Sequence, residues 1–313
     1  MNKLRPIHLV LPCPLPKAGQ AWGDYYFGQS LANALRSLGH SVIITCNGEK
    51  RTLLGKLKRS FGATDDTIPR EAIDLVLRGK RTPVDQFRRP RLNWLISQSD
   101  QFSLQDANEA AYTFVASQKF ADELLRQGVK CEVLLQCTDP SIFSPDRKSK
   151  DQTTGVLFVG NRKRTEPRPI VEAARDAGFE VSVWGANWKN VTGLDFRGRH
   201  IPNADLGNLY ASAGTVLNDH RFGMLRDDFM SNRVFDVLAS GRPVVTEEMF
   251  GIPEKLRPAI FTYRSLAEIY QVIKSSQQAE TEALSTISRI VRANHSFAQR
   301  AQVISERISV LTH

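Results

Sequence analysis

The sequence predicts an α/β protein made of two Rossmann-like, doubly wound halves that face each other across a cleft. Three observations predict it. Short apolar runs of strand length alternate with amphipathic helical stretches from residue 7 onward, the alternation lapses over TDPSIFSPDRKSKDQTTG (138–155), and it restarts at GVLFVG for a second series. A chain of 313 residues is long enough for two domains of ordinary size.

IHLVLP (7–12) reads as the first strand, CPLPKAGQAWG as a Gly/Pro-rich loop, DYYFGQSLANALRSLG as an amphipathic helix and HSVIITC as the second strand, a βαβ opening. AIDLVLR, RLNWLIS and AYTFVAS follow, then the helix QKFADELLRQG and the strand CEVLLQC. Such near-continuous apolar runs suit a parallel sheet covered by helices on both faces. The polar, proline-containing stretch 138–155 reads as an interdomain linker. Beyond it come GVLFVG, the helix PIVEAARDAGF, the strand EVSVWG, the helix ADLGNLYASA and the strand GTVLND.

DDFMSNRVFDVLASGRPVVTE (227–247) carries the next helix and strand. Val234, Phe235, Val237, Leu238 and Ala239 form an apolar stripe, with Ser231 or Asn232 as N-cap and Gly241 as the stop. Pro243 prevents continuation, and β-branched Val244, Val245 and Thr246 make a buried strand. The strand AIFTY and a helical region from SLAEIYQVIKSS to QRAQVISERISVL complete the chain.

Hydrophobic residues make up 41% of the chain, yet no apolar run approaches the ~20 residues of a membrane span. MNKLRPIHLVLPCP is broken by prolines and reads as a strand rather than a signal peptide. Cys13, Cys46, Cys131 and Cys137 form no CxxC and no metal-type cluster, and Cys131 and Cys137 are expected on one strand, too far apart to bridge. A reduced cytoplasm is the expected location. Of the net charge of +9, the first 150 residues hold +7, and residues 50–91 alone contain 12 basic and 5 acidic side chains. That segment suits an anionic membrane surface, an acidic acceptor or nucleic acid, or else simply solvates helical faces.

In open α/β sheets ligands bind at the carboxyl ends of the strands, and the informative polar residues fall there. GNRKRTEPR (Gly160–Arg168) and NDHRFGMLR (Asn218–Arg226) each follow a strand. Arg162, Arg164 and Arg168 are thereby expected near Arg233 at a helix N-terminus, where unpaired N–H groups, the dipole and guanidinium forks favour a diphosphate. Asp236, one turn into that helix, is placed to accept ribose hydroxyls. Asn232, Ser231 and Gly160 complete the donor side. His220 either contacts the sugar or diphosphate or is structural. In the first half, Gly19, Trp22 and Gly23 border a second ligand region, a Gly-containing turn allowing close approach. Asp24 and Asp100 are candidate general bases there. The plain alternative is a capped helix and a solvated basic loop.

With these residues in view, the chain resembles the GT-B glycosyltransferases, specifically the group 1 glycosyl transferases and the subset related to the spore-maturation protein CgeB. GDYYFGQSLANALRSLGHSV is similar to the family's first helix and second strand, FVASQKFADELLRQGVKCEVLLQCTDPSIFSP to its strand, helix and crossing, and SNRVFDVLASGRPVVTE to its most specific segment. NHSFAQRAQVI, with His295, Phe297 and Arg300, is similar to its closing signature. The resemblance implies an acceptor domain over 1–143, a donor domain over 144–295, and a last helix, about 296–313, packed back on the first. It also implies a nucleotide-sugar donor, a glycan, lipid-linked or other acceptor, no cofactor and no obligatory metal. Many relatives carry two glutamates with seven residues between them, and Asp228 and Asp236 have that spacing here. Asp236 then takes the ribose-binding role and Asp228 the sugar-contacting one, with Arg233 and His220 beside it.

A retaining reaction lets the leaving phosphate take the acceptor's proton, whereas an inverting one requires a base such as Asp24 or Asp100. Two other classes compete. A nicotinamide-dependent oxidoreductase lacks its G-x-G-x-x-G in the first βα turn. A catalytically silent nucleotide-sugar or nucleic-acid binder is compatible with the aspartates and the basic segment, although no aromatic-rich basic motif supports nucleic acid. A cell-surface polysaccharide role, at the inner membrane face, is the expected setting.

Overall fold

The structure, a computed structural model, describes residues 4–17, 22–46, 68–78, 90–149, 154–163 and 167–311. The chain clusters into two compact units. Residues up to Leu135, joined by those from Phe297 onward, form the first, and Gln136–Ser296 the second.

In the first unit, β1 (Ile7–Leu11), β2 (Val42–Cys46), β3 (Ile73–Arg78), β4 (Arg91–Leu95), β5 (Tyr112–Val115) and β6 (Cys131–Val133) form a six-stranded sheet in the order β2-β1-β3-β4-β5-β6. All its pairings are parallel. Every residue of β1, β3 and β4 is buried, as strands covered on both faces require. Helix α1 (Gly23–Ser37) buries Phe27, Leu31 and Leu35 at a four-residue interval, and the Phe27 ring meets Trp94 at 5.2 Å and Phe297 of the closing helix, Phe297–Val310, at 4.7 Å. Helix α2 (Leu104–Asn108) begins in a capping box of Ser103 and Asp106, and α3 (Gln118–Arg126) in the cap Ser117.

Charged groups lie inside this unit. His8 and Asp74, in register on β1 and β3, meet at 2.7 Å, and Arg78 donates to Asp106 at 2.7 Å. Arg91 donates to the Asp106 carbonyl at 2.8 Å. Burial pulls the Arg78 pKa down, and Asp106 opposes that shift.

In the second unit, β7 (Thr154–Val159), β8 (Val181–Trp184), β9 (Asp195–Gly198), β10 (Ala213–Leu217), β11 (Val244–Glu247) and β12 (Ile260–Tyr263) are ordered β12-β11-β10-β7-β8-β9, again all parallel. Between them run α4 (Pro169–Asp176), α5 (Asn203–Ser212), α6 (Phe222–Arg226) and α7 (Asn232–Ala239), and α8 (Ile269–Gln277) and α9 (Thr281–Asn294) follow β12. Phe158, Ile170, Val171, Val183, Trp188, Leu217 and Ile273 pack the core of this unit. The chain leaves β7 toward β8 and β9 on one side and returns to β10 on the other, so β7 and β10 flank the topological switch point. The loops that leave their carboxyl ends are GNRKRTEPR and NDHRFGMLR, the location the switch-point rule assigns to ligands.

The structure revises three local readings. Strand β6 stops at Val133, so Cys131 and Cys137 do not share a strand, and none of the four cysteines is in a disulfide. The chain turns away there because the Leu134 and Leu135 carbonyls accept from Trp94 Nε1 and Arg300 Nε, both at 2.8 Å. The stretch read as a linker is packed from Thr138 through Ser149 on the second unit: Phe143 stacks on Tyr210, and Ser149 N–H donates to Ser212 Oγ. Strand β9 was not anticipated, since Asp-Phe-Arg-Gly is a partly exposed edge without β-branched residues.

Candidate functional site

Helix α7 is the element around which the site is built. Its stripe Val234, Phe235, Val237, Leu238 and Ala239 is buried, and it ends at Gly241, whose φ of 72° is the left-handed stop. Ser231 is the N-cap residue by position, but its hydroxyl does not cap the helix. It donates instead to Asn218 Oδ1 at 2.8 Å. The N-cap side chain therefore leaves the first-turn N–H groups uncapped, and the positive end of the helix is open to an anion.

Two arginines stand at that end. Arg233 Nη1 donates to Asn218 Oδ1 at 3.0 Å and lies 3.7 Å from Asp219 Oδ1. Arg168 Nη1 donates to Asp219 Oδ2 at 2.9 Å, and its Nε donates to the Asn161 carbonyl at 3.1 Å. Both guanidinium groups lie over the Phe158 ring, at 5.1 and 5.8 Å. Asp219 neutralises one of the two charges and fixes both side chains, and one positive charge remains beside the open helix end. Gly160 makes room for this: a Cβ there would sit 3.2 Å from Arg233 Nη2. Gly185, at φ 139°, lets the next loop pack on it, since a Cβ at Gly185 would lie 2.2 Å from the Gly160 carbonyl oxygen.

The other expected cations are placed differently. Arg162 pairs with Glu172 at 3.3 Å with about a third of its side chain exposed, on the helix α4 side rather than with Arg168 and Arg233. Arg164 and Gly19 lie outside the described residues, as does most of the basic segment 50–91, including Lys56, Lys58, Arg59, Arg88 and Arg89.

Asp236, one turn into α7, accepts from Thr138 Oγ1 at 2.8 Å and from Asn232 Nδ2 at 2.5 Å. Burial is the largest influence on it and pushes its pKa up to about 8, against the lowering effect of those two hydrogen bonds. A further pair of hydroxyl donors would favour the charged form.

His220 takes the structural one of its two expected roles. Its side chain is fully buried, the Ser231 N–H donates to Nε2 at 3.1 Å, and Nδ1 is 3.0 Å from Glu247 Oε2. Because Nε2 accepts, Nδ1 carries the hydrogen and donates it to Glu247. Neither ring nitrogen faces a ligand, which corrects the reading of His220 as a direct contact. It ties the loop after β10 to β11 and to the start of α7. Burial raises Glu247, but the hydrogen bonds from the His220 ring and backbone N–H outweigh it and hold the carboxylate below its ordinary range.

Asp228 has a φ of 64°, and its Oδ1 accepts from the Phe250 N–H at 3.1 Å. The carboxylate faces the turn after β11.

Asn218, Asp219, Glu247, Thr138 and Tyr210 were not singled out by sequence reasoning. Asn218 is fully buried and joins Ser231, Arg233 and Thr246 Oγ1, the last at 2.9 Å. The usable signal was the polar run Asn-Asp-His directly after one strand and Thr-Glu-Glu at the end of its neighbour. Tyr210, buried against Arg233 and Asp236, has its pKa pushed up to about 12 by burial.

The described residues assigned to the acceptor, Trp22, Gly23, Asp24 and Asp100, belong to the first unit. Trp22 is the N-cap position of α1, Gly23 its exposed first residue and Asp24 its first-turn acid, all just beyond β1. Asp100 is exposed in a 3-10 turn beyond β4. Burial, followed by Asp24, pushes the Cys13 thiol up to about 12, so it is no reactive thiolate. Among the described residues, no group of three or more His, Cys, Asp or Glu could hold a metal ion, and no helix is long and apolar enough to cross a membrane.

Residues 162–306 match the model of a family described as glycosyl transferase-like. No curated protein matches the chain by sequence. Among solved structures, the chain is similar to sucrose-phosphate synthase from Thermosynechococcus elongatus, with 13% identity, 98% of this chain and 99% of that one covered, and a TM-score of 0.68. It is also similar to HepE of Anabaena in complex with UDP and glucose (14% identity, 97% and 99% covered, TM-score 0.64). Trehalose-6-phosphate synthase OtsA gives 9% identity, 97% and 99% covered, and a TM-score of 0.70. The fold is the two-domain α/β fold of the GT-B glycosyltransferases, and the family match supports a transferase.

Proposed function

We propose that the chain transfers a sugar from a nucleotide diphosphate sugar, bound in the second unit, to an acceptor selected by the first. The observation that carries this reading is the uncapped N-terminus of α7 with Arg233 and Arg168 clamped beside it by Asp219, at the switch point between β7 and β10. The diphosphate lies on that helix end, and Asp236 takes the ribose hydroxyls.

Positioning and charge do the chemistry. A glycosyl diphosphate leaves with more negative charge than it bears when bound, so Arg233, Arg168 and the first-turn N–H groups act most strongly in the transition state. No divalent cation is needed to offset that charge in this reading, and the leaving phosphate takes the acceptor's proton with retention. UDP is the first nucleotide to try, because HepE was crystallised with UDP and glucose. The CgeB-like subset, a cytoplasmic site at the inner membrane face, a lipid-linked or glycan acceptor and a part in surface polysaccharide synthesis belong to the same proposal. Support for the subset is the resemblance carried by SNRVFDVLASGRPVVTE, and support for the membrane face is the basic composition of residues 50–91.

A thermal-shift panel of UDP-, GDP-, dTDP-, ADP- and CMP-sugars tests it. A ligand at ~100 times its dissociation constant stabilises by about 2.7 kcal/mol. A panel without any shift sinks the reading, and a shift without transfer or hydrolysis of any donor makes the chain a silent binder.

A further inference from the structure

Asp228 stands three residues ahead of Ser231 in a left-handed backbone conformation, φ 64°, which is uncommon for a residue with a side chain. Several contacts hold it there. Its N–H donates to the Leu225 carbonyl at 3.3 Å, the next N–H, of Phe229, donates to the Met224 carbonyl at 2.8 Å, and both acceptors lie on α6. The strained conformation turns the carboxylate toward the segment Glu248–Gly251 that leaves β11. Oδ1 accepts from the Phe250 N–H at 3.1 Å, and Gly251 lies so close that a Cβ on it would be 2.9 Å from Oδ2. Asp228 as a whole is 7% exposed.

The turn fixed in this way carries a phenyl ring that is 89% exposed. Phe250 is thus an apolar ring projecting into water from a backbone that is pinned at its own N–H. The apolar C–H face of a sugar ring fits such a surface, and in the donor site proposed above the sugar hangs from a diphosphate at the start of α7, whose N-cap Ser231 is three residues beyond Asp228. We propose that Asp228 is a positioning residue whose carboxylate holds the Glu248–Gly251 turn so that Phe250 stacks on the donor's sugar ring and helps select it. The inference rests on the donor site proposed above. It replaces direct sugar contact by the Asp228 carboxylate with contact through the turn.

Titration calorimetry of the full chain with UDP and UDP-glucose, then with the GDP, ADP and dTDP pairs, tests it through the ratio of the two dissociation constants. Phe250→Ala should weaken the sugar conjugate about threefold to tenfold and leave the bare nucleotide unchanged. Asp228→Ala should do the same, and the double variant should lose no more than either single one. Asp228→Asn keeps an oxygen to accept the Phe250 N–H and should keep the ratio, as should Phe250→Trp. An unchanged ratio in Phe250→Ala overturns the proposal, and an unchanged ratio there with a loss in Asp228→Asn returns the contact to the carboxylate. Failure of every nucleotide, bare or conjugated, to bind overturns the donor site itself and this inference with it.

Discussion

The two sheets share size and parallel pairing but use their charged residues in opposite ways. In the first, His8 with Asp74 and Arg78 with Asp106 are closed pairs on or against the strands, at 2.7 Å each. In the second, Arg168, Arg233 and Asp219 stand just past strand ends, beside a helix terminus that no side chain caps. Charge paired within a sheet fixes structure, since each group offsets its partner's desolvation. A cation surplus at strand ends leaves binding capacity unspent.

The largest effect should come from breaking the first arrangement. Asp106→Ala strands Arg78 beside Arg91, both nearly buried, and should cost about 3–5 kcal/mol in a urea titration. Arg168→Ala, measured the same way, should cost less, because Arg233 remains 3.7 Å from Asp219 to offset its charge. Equal losses would erase the contrast between the sheets.

Arg233→Ala should weaken nucleotide binding by about 1.5–3 kcal/mol, the worth of hydrogen bonds to a charged group, with little change in stability. Unchanged affinity in calorimetry would remove Arg233 from the diphosphate site.

Asp236 belongs to both categories, being buried in the second unit yet proposed for the ribose. Asp236→Ala should cost about 1–3 kcal/mol of nucleotide affinity with the fold intact. Its pKa is raised from 3.8 to about 8, with burial the main cause, so between those values the folded chain keeps a proton that the unfolded chain has lost. Stability from this group is full below the unfolded pKa and falls, by up to about 1.4 kcal/mol per pH unit, until pH passes the folded value. Asp236→Asn should flatten that slope in urea titrations at pH 5, 6 and 7. Ribose hydroxyls favour the charged form, so nucleotide binding at pH 7 should release a proton, and calorimetry in buffers of different ionisation enthalpy would show it. Proton uptake would contradict the ribose assignment.

The smallest effect per residue concerns the basic segment. Reversing Lys56, Lys58, Arg59, Arg88 and Arg89 to Glu should abolish salt-sensitive binding to anionic liposomes, at about 1 kcal/mol per residue, and spare nucleotide affinity. Equal sedimentation of the unaltered chain with neutral and anionic lipid would point to a soluble acceptor.

Much of the fold was legible because burial on both faces of a parallel sheet leaves apolar runs, as in IHLVL and IDLVLR. The start of α7 was legible for a similar reason, its stripe and stop being local signals. Thr138 was not: it reaches Asp236 across 98 positions, and nothing in TDPSIF distinguishes a buried donor from a solvated linker. The fate of His220 was equally hidden, since only Glu247 and the Ser231 N–H, brought by other elements, decide that its ring turns inward. Arg162 and Arg168, near neighbours in the sequence, were read alike, and Glu172 and Asp219 separate them.

Gly185 sets a limit on any attempt to retune the protein. Its missing side chain lets one loop rest on the carbonyl of another, so randomising position 185 would produce mostly misfolded clones. A library intended to change ligand preference should leave Gly185 alone and diversify position 250 of the Glu248–Gly251 turn, where a new side chain meets water rather than backbone.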